Sequence, residues 1–181
     1  MQPPVIRTGW SELLQFVARC GSFTRRKTCG MLAQMPAPFP HHYDATVQLT
    51  DAQYAEGSLV TAEIPALQVG PPPQFDGRPG HHSPEDLLLA AVATCHMTTL
   101  VALARRKELP IRSYTAKASG TLEKTKEGLR FTSIGLRVDA VTVRGREAEL
   151  SGLIELAETH CIVSNTLRLK VELETIVSSA E

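Results

Sequence analysis

The 181-residue chain has little of what marks several large functional classes. Aromatic residues make up 5%, which leaves few rings on which single-stranded nucleic acid could stack. Neither sign of charge predominates: 19 Lys and Arg balance 19 Asp and Glu, so no global field draws the protein to a polyanion. Four cysteines are too few for a disulfide scaffold, and no pair of cysteines or histidines has the C-x₂₋₄-C or H-x₃₋₅-H step that places two ligands on one zinc ion. These absences argue against nucleic-acid binding and against a resident metal. Apolar residues at 43% and charged residues at 21% are ordinary for a globular domain with a real core.

The balanced charge hides an asymmetry. Residues 1–36 carry Arg7, Arg19, Arg25, Arg26 and Lys27 against Glu12 alone, a net of +4, and the remainder is net −4. Residues 1–40 read as a basic, poorly ordered extension ending in the Pro-rich linker Met35-Pro36-Ala37-Pro38-Phe39-Pro40, ahead of one domain over residues 41–181. An Arg-rich, acid-poor targeting peptide competes with that reading. Twin-arginine export is discounted, because no apolar run of the needed length follows Arg25-Arg26.

From Tyr43 the pattern changes. Tyr43, Ala45, Val47 and Leu49 alternate with polar residues, and residues 58–64 and 66–69 repeat the period of two, predicting a small antiparallel sheet that ends at Pro71-Pro72-Pro73. Ser83-Pro84-Glu85-Asp86 then opens a helix with a capping hydroxyl, a first-turn proline and two acids at the positive end of the dipole. Residues 87–104 contain no Asp, Glu, Lys or Arg. A membrane span is disfavoured by Thr94, Cys95, His96, Thr98 and Thr99 at its centre, so the run is expected to be a central helix buried on nearly all sides. Residues 112–123 and 129–143 predict a hairpin, 146–159 an amphipathic helix, and 167–173 a final strand. The order is that of an α+β fold.

Two cysteines stand out by placement. Cys95 lies midway along the apolar helix and Cys161 where the second helix should end, each beside a histidine (His96, His160). The residues alone leave several readings open. The cysteines can be packing groups, since free Cys is among the most buried residue types. They can be a redox pair, a zinc set or a papain-like nucleophile. Neighbours on a helix point about 100° apart, which disfavours zinc, and no oxyanion hole or orienting Asn supports the papain-like case.

The stretches SPEDLLLAAVATC (83–95) and THCIVSNTL (159–167) resemble the OsmC/Ohr family of osmotically inducible and organic-hydroperoxide-resistance thiol peroxidases, over residues 41–177. The resemblance implies an OsmC-like fold: a small antiparallel N-terminal sheet, central buried helix, β-hairpin, second helix and final strand, in an intertwined homodimer. It also implies a cytoplasmic peroxidase without cofactor, metal or membrane partner, which reduces organic hydroperoxides. Cys95 would become a sulfenic acid, Cys161 would close a disulfide with it, and a dithiol reductant (lipoyl-type or a small thiol) would reopen it. The alternative is an OsmC-like thiol or metal-binding protein that keeps the fold without the activity.

Two further residues enter through the family pattern. A free thiol of pKa ~8.5 is only about 3% thiolate at neutral pH, and Cys95 lies too far along its helix for the N-terminal dipole to help, so a cation is needed. One branch of the family draws an arginine from a loop between early strands, but residues 51–57 contain none. Arg78 follows the Phe75-Asp76-Gly77 step and is the only arginine between Arg26 and Arg105, which makes it the candidate. Glu85 would orient that arginine. Ten residues of continuous helix separate Glu85 from Cys95 by about 15 Å and about 80° of rotation, so Glu85 is expected to arrive from the other subunit.

Overall fold

Residues 40–61 and 64–180 are described in the computed structural model, so the expected basic extension lies outside the described residues. Tyr43–Glu181 form one unit. Its elements run β1 (Thr46–Asp51), β2 (Glu56–Val60), β3 (Leu67–Val69), α1 (Pro84–Arg106), β4 (Ser113–Thr125), β5 (Gly128–Val143), α2 (Glu147–Thr159), α3 (Ile162–Thr166) and β6 (Val171–Ala180). The expected α+β class and element order are observed.

Strands β1, β2 and β3 form an antiparallel sheet in that order. Among the described residues much of its apolar surface is uncovered: Val47 is 63% exposed and Leu49 68%. Beyond β3 the chain turns through a short 3₁₀ segment, Pro73–Phe75, and Asp76 takes a left-handed conformation at φ 61°. A Cβ at Gly77 would stand 1.7 Å from the Pro71 carbonyl oxygen, so this turn closes only on glycine. Hydrogen bonds from His82 N to Gln68 O (2.9 Å) and from Gly70 N to His82 O (3.1 Å) tie the end of the loop back to β3.

Ser83 caps α1 as expected. Its hydroxyl accepts from Asp86 N at 3.0 Å while the Asp86 carboxylate accepts from Ser83 N at 3.3 Å, a reciprocal capping box. The expectation of burial on nearly all sides is not met. Within one chain α1 buries a single stripe, Val92, His96, Leu100 and Ala104, at the i, i+4 spacing of one helical face. Ala90, Ala91, Thr94, Met97 and Thr98 remain exposed. An uninterrupted apolar run records that the whole circumference avoids charge, not that one chain supplies all the cover.

The second sheet supports that stripe. The long β4–β5 hairpin turns at Lys126-Glu127, and β6 pairs with β5 in parallel. A parallel neighbour requires a crossover, supplied here by α2 and α3. Along β5, Ile134, Leu136, Val138, Ala140 and Thr142 are buried in strict alternation and face the helices. Arg137 bonds Asp139 and Glu174 at 3.4 Å each on the outer face. The final strand begins later than expected. Residues 162–166 close into α3, and the alternation read at 167–173 belongs to the approach to a strand that runs on to Ala180. Gly77→Ala should lower unfolding free energy by about 1–3 kcal/mol in urea titration, because the loop must open to admit the methyl group.

Candidate functional site

Cys95 and Cys161 are both free thiols; the first is half-buried and the second fully buried. They come from the middle of α1 and the start of α3, and they are close enough to interact. Burial pushes the Cys161 thiol pKa up, the Ser164 hydroxyl and amide lower it, and neighbouring Cys95 raises it again. Cys161 caps α3, its sulfur accepting from Ser164 N at 3.5 Å. The structure therefore brings together the two sulfurs that the sequence singled out.

The rotation of α1 is set one residue away. His96 is fully buried, its Nε2 is 3.1 Å from the Ile154 carbonyl and its Nδ1 is 2.8 Å from the Tyr114 hydroxyl. A carbonyl only accepts, so Nε2 carries the proton and Nδ1 accepts from Tyr114. Burial lowers the His96 pKa and keeps the ring neutral. The Tyr114 pKa is pushed up to about 12 by burial, with Cys161 and Glu158 adding to the shift, so its hydroxyl keeps the proton it donates. The sequence showed Tyr114 only as an inward position of a strand.

Arg78 lies elsewhere. Its guanidinium grips both oxygens of Glu56, bonds Asp51 at 3.3 Å and stacks over the Tyr54 ring at 4.1 Å. That hydrogen bonding holds the Glu56 carboxyl below the usual range. Glu56 is 4% exposed, and His81 Nε2 approaches it at 3.4 Å. Among the described residues these are the guanidinium's partners, and Cys95 is not one of them. Nothing in the local sequence pairs residues 56 and 78; the contact depends on the loop folding back to the β1–β2 hairpin.

Glu85 sits in the first turn of an unbroken α1, so it does not reach Cys95 of its own chain. It borders a cavity of about 430 Å³ walled by Phe75, Leu89, Leu122, Leu129 and Phe131. Its Oε2 is buried without a hydrogen-bond partner among the described residues. Among those residues no group of three or more His, Cys, Asp or Glu side chains is placed to hold a metal ion.

Residues 77–176 match the OsmC-like protein family, and the chain belongs to it. The Bacillus subtilis (strain 168) protein YmaD is 26% identical over 122 residues, 65% of this chain and 77% of that protein. Among solved structures, an OsmC-like protein of Vibrio cholerae superposes with a TM-score of 0.68 at 21% identity, over 76% of this chain and 100% of its own. An organic hydroperoxide resistance protein OsmC of Legionella pneumophila gives 0.59 at 20% identity, over 78% and 99%. At these identities the structures establish a shared OsmC-like fold.

Two outcomes follow. Tyr114→Phe leaves the buried His96 Nδ1 without a donor and should cost about 1–3 kcal/mol in thermal or urea unfolding. Because the folded state holds His96 neutral, the unfolded chain takes up a proton below pH ~6.5 that the folded chain refuses, so this histidine's contribution to stability falls on acidification. His96→Gln should flatten that part of the pH dependence of Tm.

Proposed function

We propose that the protein is a cysteine peroxidase for organic hydroperoxides, with Cys95 as nucleophile and Cys161 as resolving thiol. One observation carries the reading: a half-buried and a fully buried free thiol stand close enough to interact. The similarity to an organic hydroperoxide resistance protein of the same fold supports the substrate class. The Cys95 thiolate attacks the outer peroxide oxygen, the O–O bond breaks, and the alkoxide takes a proton and leaves as an alcohol. Sulfur is oxidised by two electrons to the sulfenic acid and the peroxide is reduced. Cys161 then displaces water from that sulfur to form the disulfide, and a dithiol reductant restores both thiols.

The working unit is a homodimer. A second copy covers the exposed face of α1 and the open N-terminal sheet, and it brings its Glu85 to the Cys95 that Glu85 cannot reach within its own chain. Arg78 is the cation of this reading; to act it must meet Cys95 across the same interface or exchange Glu56 for Glu85. A reducing cytoplasm keeps such a pair cycling. The hold of Glu56 on Arg78 favours a second reading, an OsmC-like thiol protein with no activated cysteine.

Consumption of cumene hydroperoxide with excess dithiothreitol decides between them. The parent should turn over and Cys95→Ser should not; a Cys95→Ser protein as active as the parent ends the nucleophile assignment. Arg78→Ala should slow iodoacetamide alkylation of Cys95 at neutral pH by about tenfold. An unchanged rate removes Arg78 from the site.

A further inference from the structure

The cavity beside Glu85 combines apolar walls with one available acceptor. Phe75, Leu89, Leu122, Leu129 and Phe131 line about 430 Å³, and Phe75 and Leu129 stay exposed in the folded chain. Glu85 adds a carboxylate whose Oε2 has no hydrogen-bond partner among the described residues. Asp86, the other acid on the wall, is committed to the Ser83 cap. Such a space suits a compact apolar body that carries a single donor. An organic hydroperoxide has that form, with an apolar carbon end and one O–H to give.

The size of the cavity is set by a residue with no side chain. Gly120 of β4 lines it, two positions before Leu122, which lies opposite Phe131 on β5. A Cβ at Gly120 would stand 2.6 Å from Phe131 Cε1, 2.8 Å from Phe131 Cδ1 and 3.3 Å from Leu89 Cδ2. The Phe131 ring thus lies across the glycine, in the place a side chain would take. Gly120 is not among the residues with positive φ, so glycine is needed there for space and not for its backbone freedom. Phe131 and Leu89 also pack against the buried core. A methyl group at position 120 would therefore drive them into the cavity that both border, because a close-packed core does not yield.

We propose that Gly120 is the specificity-determining residue of this pocket: by letting the Phe131 ring lie across β4, it leaves room for the aryl group of a hydroperoxide whose O–H donates to Glu85. Two phenyl walls, Phe75 and Phe131, favour a third ring in edge-to-face contact. The inference rests on the peroxidase reading above, in which the second copy that brings Glu85 to Cys95 brings this cavity with it.

The ratio of kcat/KM for cumene hydroperoxide to that for tert-butyl hydroperoxide, with excess dithiothreitol, reads the pocket. Gly120→Ala should lower that ratio by about tenfold. Phe131→Trp, which fills the cavity from the facing strand, should do the same if Gly120→Ala does not fold. Adding Phe131→Leu to Gly120→Ala should restore most of the ratio, whereas a merely structural defect would slow both substrates alike. Binding of 2-phenyl-2-propanol, which keeps the aryl group and the hydroxyl but has no O–O bond, is measured alongside by NMR titration and should weaken about tenfold in Gly120→Ala or Phe131→Trp. A parent that binds the alcohol but consumes neither hydroperoxide overturns the peroxidase reading, and the alcohol affinities then decide the pocket. Ratio and affinity unchanged in the filled variants overturn the role of Gly120 with the peroxidase reading intact. A parent that neither binds the alcohol nor turns over overturns both.

Discussion

The rotation of α1 about its own axis is the constraint on which the site depends. Successive helical residues point about 100° apart, so whichever side chain is fixed determines where its neighbour faces. His96 is fixed from two directions, by the Ile154 carbonyl of α2 and the Tyr114 hydroxyl of β4. With His96 held in the core, Cys95 is turned to the start of α3, where Cys161 stands. Apolar packing along Val92, Leu100 and Ala104 supplies much of the burial but is tolerant of small rotations. Two hydrogen bonds to a buried ring are not, since breaking either leaves a desolvated polar atom.

The same arrangement gives the two cysteines different properties. Cys95 sits on a helix face that the chain leaves partly open, whereas Cys161 lies under α1 and beside Glu158, Ser164 and Tyr114. A nucleophile for an external substrate needs access, and a resolving thiol needs proximity and a means of losing its proton. In the proposed peroxidase cycle, the division of labour follows from burial. Arg78 and Glu56 are locked together beside the N-terminal sheet, and Glu85 keeps a buried oxygen without a hydrogen-bond partner among the described residues.

Much of this was legible in the sequence where the signal is local. Ser83-Pro84 with Asp86 announced the start of α1, and the apolar run through Ala104 gave its length. The alternation at 129–143 gave β5 and its inward face. The two cysteine motifs pointed to the family and to the paired thiols. What escaped depends on contacts distant in sequence. A helix without charge does not disclose which faces its own chain covers. The His160–Thr166 region looked like a link to a strand, yet its side chains cap and close α3 around Cys161. The capture of Arg78 by Glu56, 22 residues away, has no local signature.

The central claim is that these two sulfurs form one redox couple. Mass analysis of the reduced protein after one equivalent of tert-butyl hydroperoxide, with non-reducing peptide mapping, tests it most directly. The account predicts loss of two hydrogens per chain and a single new peptide joining Cys95 to Cys161. Recovery of both thiols unmodified, or of Cys95 oxidised to a sulfinic acid beside an untouched Cys161, would contradict it.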